Sequence, residues 1–92
     1  MKHNTQQTDN FDPKKQASYV SFLFKQKTQP IANITKHVKK GTALYALQQD
    51  FSYMLYELTN GFVYRRHQVY ISIIDYINKI DVEKIVSEIQ AK

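Results

Sequence analysis

With 92 residues, of which 42% are hydrophobic and 23% charged, the chain has the composition of one small globular domain. The absence of cysteine excludes disulfides, thiolate chemistry and Cys-ligated metal sites. The formal net charge of +5 attracts anions, whether nucleic acid, anionic lipid headgroups or an acidic protein surface.

The positive charge is confined to the first two-thirds of the chain. Residues 1–66 hold ten Lys and Arg against four Asp and Glu, a balance of +6. Residues 67–92 hold three lysines against four acids, a balance of −1. Between Pro13 and Gln49 the sequence has seven lysines and no acidic residue. These lysines are Lys14, Lys15, Lys25, Lys27, Lys36, Lys39 and Lys40.

Residues 1–11 lack helical periodicity and are expected to form a flexible tail before a single domain over 12–92. The first ten residues are polar and lack the apolar stretch of a secretory signal. No uncharged apolar run approaches the roughly 18 residues that a membrane-spanning helix needs. We therefore expect a cytoplasmic protein without a transmembrane segment.

Prolines and glycines predict where helices begin and end. The pair Asp12-Pro13 is typical of an N-cap followed by the first helical residue, and Pro30 predicts a second helix start. Gly41 and Gly61 are each expected to close a helix in a left-handed turn. Asp81 offers the N-cap of a short last helix.

Apolar residues recur at helical spacing between these positions. The expected helices cover about 13–27, 30–40, 43–59 and 63–79, with a short fifth helix over 82–90. Short links pack neighbouring helices antiparallel, so the predicted fold is an all-α, antiparallel four-helix bundle with a short fifth C-terminal helix. The expected core residues are Ala17, Val20, Leu23, Phe24, Ile31, Ile34, Val38, Leu44, Leu47, Phe51, Met54, Leu55, Leu58, Val63, Tyr70, Ile73, Ile74, Ile77, Ile80, Val82, Ile85, Val86 and Ile89.

Two segments also have strand character. Residues 62–64 and 69–74 are rich in β-branched and aromatic side chains, which favour strands. Helix is the favoured interpretation because the apolar spacing continues at helical intervals through Ile77 and Ile80.

The third expected helix has a second face, and this face is a candidate partner-binding surface. At about 100° per residue, Tyr45, Gln49, Tyr53 and Tyr56 lie opposite the apolar seam. Tyrosine is enriched at protein interfaces, so exposed tyrosines here would indicate a dimer or a partner. The alternative is a central helix with neighbours on two sides, where each hydroxyl finds a local hydrogen-bond partner.

The fourth expected helix starts with the basic sequence Tyr-Arg-Arg-His at 64–67. Cations in a first helical turn oppose the helix dipole. An anion bound by the free N–H groups and by Arg65 and Arg66 would turn this cost into a binding site. The alternative is that the arginines stay solvated or pair with Glu57 or Asp50.

The sequence offers little support for catalysis. His3, His37 and His67 are scattered and do not form a metal-binding spacing, so no metal site is expected. Neither glycine belongs to a Gly-rich phosphate loop, and no serine has the context of a nucleophile elbow. We expect a binding protein rather than an enzyme, with no cofactor.

Nucleic acid is one possible partner. The seven lysines, together with Arg65 and Arg66, could neutralise phosphates, and Tyr19, Tyr45 or Tyr64 could stack on bases. Lysine reads bases poorly. Such binding is expected to be non-specific and to weaken steeply as salt rises.

A protein partner is the favoured alternative, and a short segment supports it. Thr59-Asn60-Gly61-Phe62-Val63-Tyr64, followed by Gln68, resembles the turn between the last two long helices of pediocin-like (class IIa) bacteriocin immunity proteins. The resemblance covers about a fifth of the chain.

This resemblance implies a cytosolic four-helix bundle that protects its producer from its own bacteriocin. Protection would come from recognition of the bacteriocin-occupied mannose permease at the inner membrane face. The resemblance also implies that the C-terminal half governs specificity. On this chain it points to Phe62, Tyr64, Arg65, Arg66 and Gln68.

Overall fold

A computed structural model describes residues 12–35 and 42–91 of the protein. These residues contain four α-helices, one 3-10 turn and no strand. The helices are α1 (Pro13–Ile34), α2 (Ala43–Asn60), α3 (Arg66–Asn78) and α4 (Val82–Gln90), and the 3-10 turn Val63–Arg65 precedes α3. The all-α prediction is confirmed over the described residues, and the strand alternative for 62–74 is wrong.

The predicted division of residues 13–34 into two helices is wrong, so residues 12–35 and 42–91 contain four helices where five were expected. Pro30 lies inside α1 rather than at a helix start. The Thr28 hydroxyl donates a hydrogen bond to the Phe24 carbonyl oxygen at 2.8 Å, as a residue within a helix does. The buried positions Val20, Phe24, Thr28 and Ile31 keep one helical spacing across Pro30. Core packing therefore continues α1 past a residue that lacks an N–H.

Several predictions lie outside the described residues. They are the flexible tail over 1–11, the helical segment over 36–40 with its core residue Val38, and the helix end at Gly41. Three of the predicted nucleic-acid-binding lysines lie there too, namely Lys36, Lys39 and Lys40.

Side-chain caps begin two of the helices at the predicted positions. The Asp12 carboxylate accepts a hydrogen bond from the Lys14 amide at 2.9 Å, with Pro13 as the first residue of α1. The Asp81 carboxylate likewise accepts from the Lys84 amide at 3.1 Å and starts α4. Each cap satisfies an amide that has no partner inside its own helix.

The core is organised around α1, which contacts all three other helices of the described residues. Phe24 of α1 stacks on Phe51 of α2, with ring centroids 4.3 Å apart and planes 10° from parallel. The main buried cluster consists of Val20, Phe24, Phe51, Leu58, Val69, Ile73, Ile77 and Ile80, and Ile31 and Leu44 are buried as well. Val69 was not among the expected core residues. Since α1 is the central helix, α2 is free to expose one side.

A polar contact ties α2 to α3 beside the core. The Tyr76 hydroxyl donates to a carboxylate oxygen of Asp50 at 3.1 Å. Burial, followed by the charge of Asp50 and this hydrogen bond, raises the pKa of Tyr76 to about 12. Asp50 is thus engaged by a tyrosine rather than by Arg65 or Arg66.

Candidate partner-binding surface

The link between α2 and α3 starts with a sharp helix end at Gly61. The Gly61 amide donates to the Glu57 carbonyl oxygen at 2.9 Å, and the Asn60 side-chain amide donates to the Tyr56 carbonyl at 3.4 Å. Gly61 has φ −82° and ψ −171°, so the predicted left-handed turn is wrong although the helix does end there. Glycine is needed for another reason, because a Cβ at this position would overlap the Glu57 carbonyl oxygen.

The next three residues form an exposed apolar run that we call the aromatic link. The exposed fractions are 68% for Phe62, 69% for Val63 and 81% for Tyr64. The Phe62 and Tyr64 rings lie beside each other, with centroids 5.5 Å apart and planes at 33°. The predicted burial of Val63 is wrong, because 63–65 is a 3-10 turn and α3 begins only at Arg66. Three consecutive exposed apolar residues are uncommon without a functional reason.

The outer side of α2 carries a second exposed surface. Tyr53 and Tyr56 are 74% and 66% exposed, whereas Tyr45 is half-buried. A shallow depression there is lined by the uncharged residues Gln49, Ser52, Tyr53 and Tyr56, which we call the tyrosine face. The prediction that the α2 tyrosines point away from the core therefore holds for Tyr53 and Tyr56, and the central-helix alternative does not apply to them.

Arg65 and Gln68 share a depression between α2 and α3. Its lining is Met54, Glu57, Arg65, Gln68, Val69 and Ser72. An Arg65 guanidinium nitrogen lies 3.9 Å from a Glu57 carboxylate oxygen, and both side chains are roughly half exposed. An exposed pair at this distance contributes little stability. Arg65 is thus held loosely by Glu57, as one of the sequence alternatives expected, and stays accessible beside Gln68.

Arg66 has different surroundings from Arg65. Its side chain is half-buried, and its Nε atom is shielded from solvent without a hydrogen-bond partner among the described residues. The exposed part of the basic sequence at 64–67 is therefore formed by Tyr64, Arg65 and His67.

The lysines of α1 lie on a separate surface. Lys14, Lys15 and Lys25 are exposed, and Lys27 is half-buried. Tyr19 and Phe22 are exposed large side chains on the same helix. Phe22 was not singled out in the sequence, although its position is out of phase with the core residues Val20 and Phe24. We call the set Lys14, Lys15, Tyr19, Phe22 and Lys25 the lysine–aromatic face.

Comparison with protein-family models, with characterised proteins and with solved structures found no match to this chain. Within residues 12–35 and 42–91, no group of three or more His, Cys, Asp or Glu could hold a metal ion. No helix in the same ranges is long and apolar enough to cross a bilayer.

Proposed function

We propose that the protein binds a protein partner through the aromatic link, with the tyrosine face and the neighbouring Arg65 and Gln68 as further contacts. The observation that carries the proposal is the exposure of Phe62, Val63 and Tyr64 in succession. Water around these side chains is released only when another surface covers them. Aromatic residues are also the side chains most enriched where partners bind tightly.

The residues of this surface should contribute unequally to the free energy of partner binding. Complete burial of a large apolar side chain is worth about 1.5–3 kcal/mol, so covering Phe62 and Tyr64 supplies several kcal/mol together. An ion pair that the exposed Arg65 side chain forms with a partner at the rim of the interface is worth about 1 kcal/mol or less. The aromatic link should therefore supply most of the affinity, while Arg65 and Gln68 orient the partner.

Tyr53 and Tyr56 are also suited to partner binding, but for a different physical reason. Tyrosine presents a large rigid ring with few rotatable bonds, so ordering it at an interface costs little entropy. The tyrosine face has no charged lining residue. A partner can therefore cover it without stripping water from an ion.

More specifically, we propose a bacteriocin immunity function. Its support is the resemblance to class IIa immunity proteins over Thr59–Tyr64, a segment that includes the exposed aromatic link rather than core residues. In this proposal the protein is cytoplasmic and non-enzymatic, and its helices form an antiparallel bundle. The partner is then the bacteriocin-occupied mannose permease.

Expression in a bacteriocin-sensitive host tests this function. The wild-type protein should protect cells from class IIa bacteriocins, and the double variant F62S/Y64S should lose most of the protection. The matched control is Y19S/F22S, which removes two exposed aromatic rings from α1 and should leave protection intact. Circular dichroism on both variants checks that the helices persist. Unchanged killing of cells that express the wild-type protein overturns the immunity proposal.

Nucleic-acid binding is the second candidate function. Its support is the exposure of Lys14, Lys15 and Lys25 on a helix that also exposes Tyr19. It ranks lower because the cations of α1 are all lysines, which neutralise phosphate but read bases poorly. A titration of short DNA and RNA in a salt series tests it, and lack of binding at low ionic strength removes it. A pull-down from the native host with and without nuclease separates the two candidates.

A further inference from the structure

The lysine–aromatic face of α1 differs chemically from the tyrosine face of α2. Tyr19 and Phe22 are both more than half exposed and lie one turn apart. Lys15 precedes Tyr19 by four residues, and Lys25 follows Phe22 by three. The 22 residues of α1 include no Asp or Glu, and the one acid next to them in the described chain is the N-cap Asp12.

Helix geometry places these side chains on the same side of α1. At about 100° per residue, Lys15, Tyr19, Phe22 and Lys25 fall within an arc of about 120°. The ten steps along the helix from Lys15 to Lys25 rise about 15 Å along its axis. The result is a narrow strip in which two rings lie between two cations, and the strip runs parallel to α1.

We propose that this face docks α1 lengthwise on an anionic lipid surface. Phenylalanine and tyrosine favour the boundary between headgroups and acyl chains, where a ring is buried and a hydroxyl stays hydrated. Lysine can lay its aliphatic stem along the apolar layer and raise its ammonium to lipid phosphates. Charge complementarity selects anionic rather than zwitterionic lipid.

The shape and composition of the face favour lipid over nucleic acid. All cations of α1 are lysines, whereas nucleic-acid recognition favours arginine. Single-stranded nucleic acid is usually held in a positively charged groove. The α1 lysines instead lie on the outer side of a helix, beside the exposed rings of Tyr19 and Phe22. Phe22, which has no polar group, lies within the strip and gains most from an apolar layer.

The docking surface shares no residue with the aromatic link or the tyrosine face, so the inference does not rest on the proposed function. Three lysines and two partly covered rings give reversible binding that salt should weaken. If the protein partner is at a membrane, such docking also raises the local concentration of the aromatic link near that partner.

Vesicle sedimentation with the full chain tests the inference. At low ionic strength the protein should co-sediment with phosphatidylglycerol–phosphatidylcholine vesicles and not with pure phosphatidylcholine vesicles, and salt should release it. K15Q/K25Q should lower the partition coefficient about 30-fold. The matched control K79Q/K84Q removes the same charge outside α1 and should change it less than about threefold. F22S should lower partitioning roughly tenfold.

Three results overturn the inference. The first is no binding to the anionic vesicles at low salt, and the second is equal loss in K15Q/K25Q and K79Q/K84Q, which would reduce the effect to net charge. The third is a short oligonucleotide that displaces the protein from vesicles and binds it more tightly, which assigns the face to nucleic acid. F62S/Y64S should sediment with vesicles like wild type. Loss of partner binding can therefore be distinguished from loss of vesicle binding.

Discussion

The outer faces of α1 and α2 both expose aromatic rings, but the neighbours of those rings differ. On α1, Tyr19 and Phe22 lie among lysines on a helix without acids. On α2, Tyr53 and Tyr56 line a depression with only Gln49 and Ser52. The first arrangement selects a partner by charge, while the second selects by shape and hydrogen bonding.

This difference separates a charged surface from an uncharged one. The described lysines of the acid-free stretch lie on α1, whereas the tyrosine face carries no charge. Binding through α1 should therefore fall steeply as salt screens the lysines, whereas binding through the tyrosine face and the aromatic link should change little. Salt dependence thus reports which face a given partner uses.

Phe51→Ala should have the largest effect, because it removes the contact that holds the two faces on one scaffold. The stack between Phe24 and Phe51 joins α1 to α2 in the core. We expect the free energy of unfolding to fall by about 3–5 kcal/mol, measured by urea denaturation followed by circular dichroism. Phe62→Ala, at an exposed position, is the control and should change it by no more than about 0.5 kcal/mol. Similar costs for the two variants would contradict the described core.

Gly61→Ala should have the next largest effect and acts on the aromatic link. The new Cβ would overlap the Glu57 carbonyl oxygen, so the end of α2 must shift. We expect a loss of roughly 2 kcal/mol in the free energy of unfolding. Partner binding through Phe62 and Tyr64 should weaken as well, while vesicle binding through α1 stays unchanged. Ser52→Ala, at an exposed position within α2, should leave the free energy of unfolding unchanged. An equally small effect of Gly61→Ala would show that a Cβ at position 61 does not overlap the Glu57 carbonyl oxygen.

Tyr76→Phe should cost about 1 kcal/mol below pH 10, because it removes the hydrogen bond to Asp50 between α2 and α3. The pKa of Tyr76 is raised from 10.0 to about 12 in the folded protein. The protonated tyrosine therefore contributes its full stability below pH 10, and this contribution is lost as pH rises through 12.

The difference in unfolding free energy between wild type and Tyr76→Phe should accordingly shrink between pH 10 and 12. Urea denaturation of both proteins across this range measures the difference. Asp50→Asn is the matched variant, since it removes the charge that helps to hold the Tyr76 pKa high. A pH-independent difference would contradict the raised pKa.

Tyr53→Ser and Tyr56→Ser should have the smallest effect on folding and sharpen the contrast within α2. Both side chains are mostly exposed, so each change should shift the unfolding free energy by no more than about 0.5 kcal/mol. Tyr45→Ser should cost more, because that ring is half-buried. Thermal denaturation ranks the three variants, and equal costs would show that Tyr45 is as exposed as the others.

The sequence was sufficient for the features that depend on local chemistry. The caps Asp12 and Asp81 follow from side-chain hydrogen bonding to free amides, and both are present. The outward direction of Tyr53 and Tyr56 follows from the angle per residue once Leu44, Phe51 and Leu58 define the buried side.

At Pro30, core packing outweighs the preference of proline for the start of a helix. A proline after Thr28-Gln29 is typical of a helix start, yet the core contacts of Thr28 and Ile31 on either side carry α1 through it. The buried spacing Val20, Phe24, Thr28, Ile31 is one unbroken helical phase, and it was the signal available in the sequence.

The aromatic link could not be predicted as a surface, because its residue types are those of a core. Val63 was assigned to the interior on the assumption that the helix starts there, whereas the 3-10 turn takes it out of the helical phase of α3. Similarly, the exposure of the tyrosine face depends on which helix occupies the centre. That is a property of all the helices together, which no single segment encodes.

The contact between α1 and α4 has a consequence for synthesis on the ribosome. Residues 13–34 emerge early, but one of their packing surfaces is formed by residues 82–90. Until α4 has left the exit tunnel, part of α1 lacks the surface that covers it and the core cannot close. A chain that stops before Asp81 should consequently stay sensitive to proteases, because α1 then lacks its contact with α4.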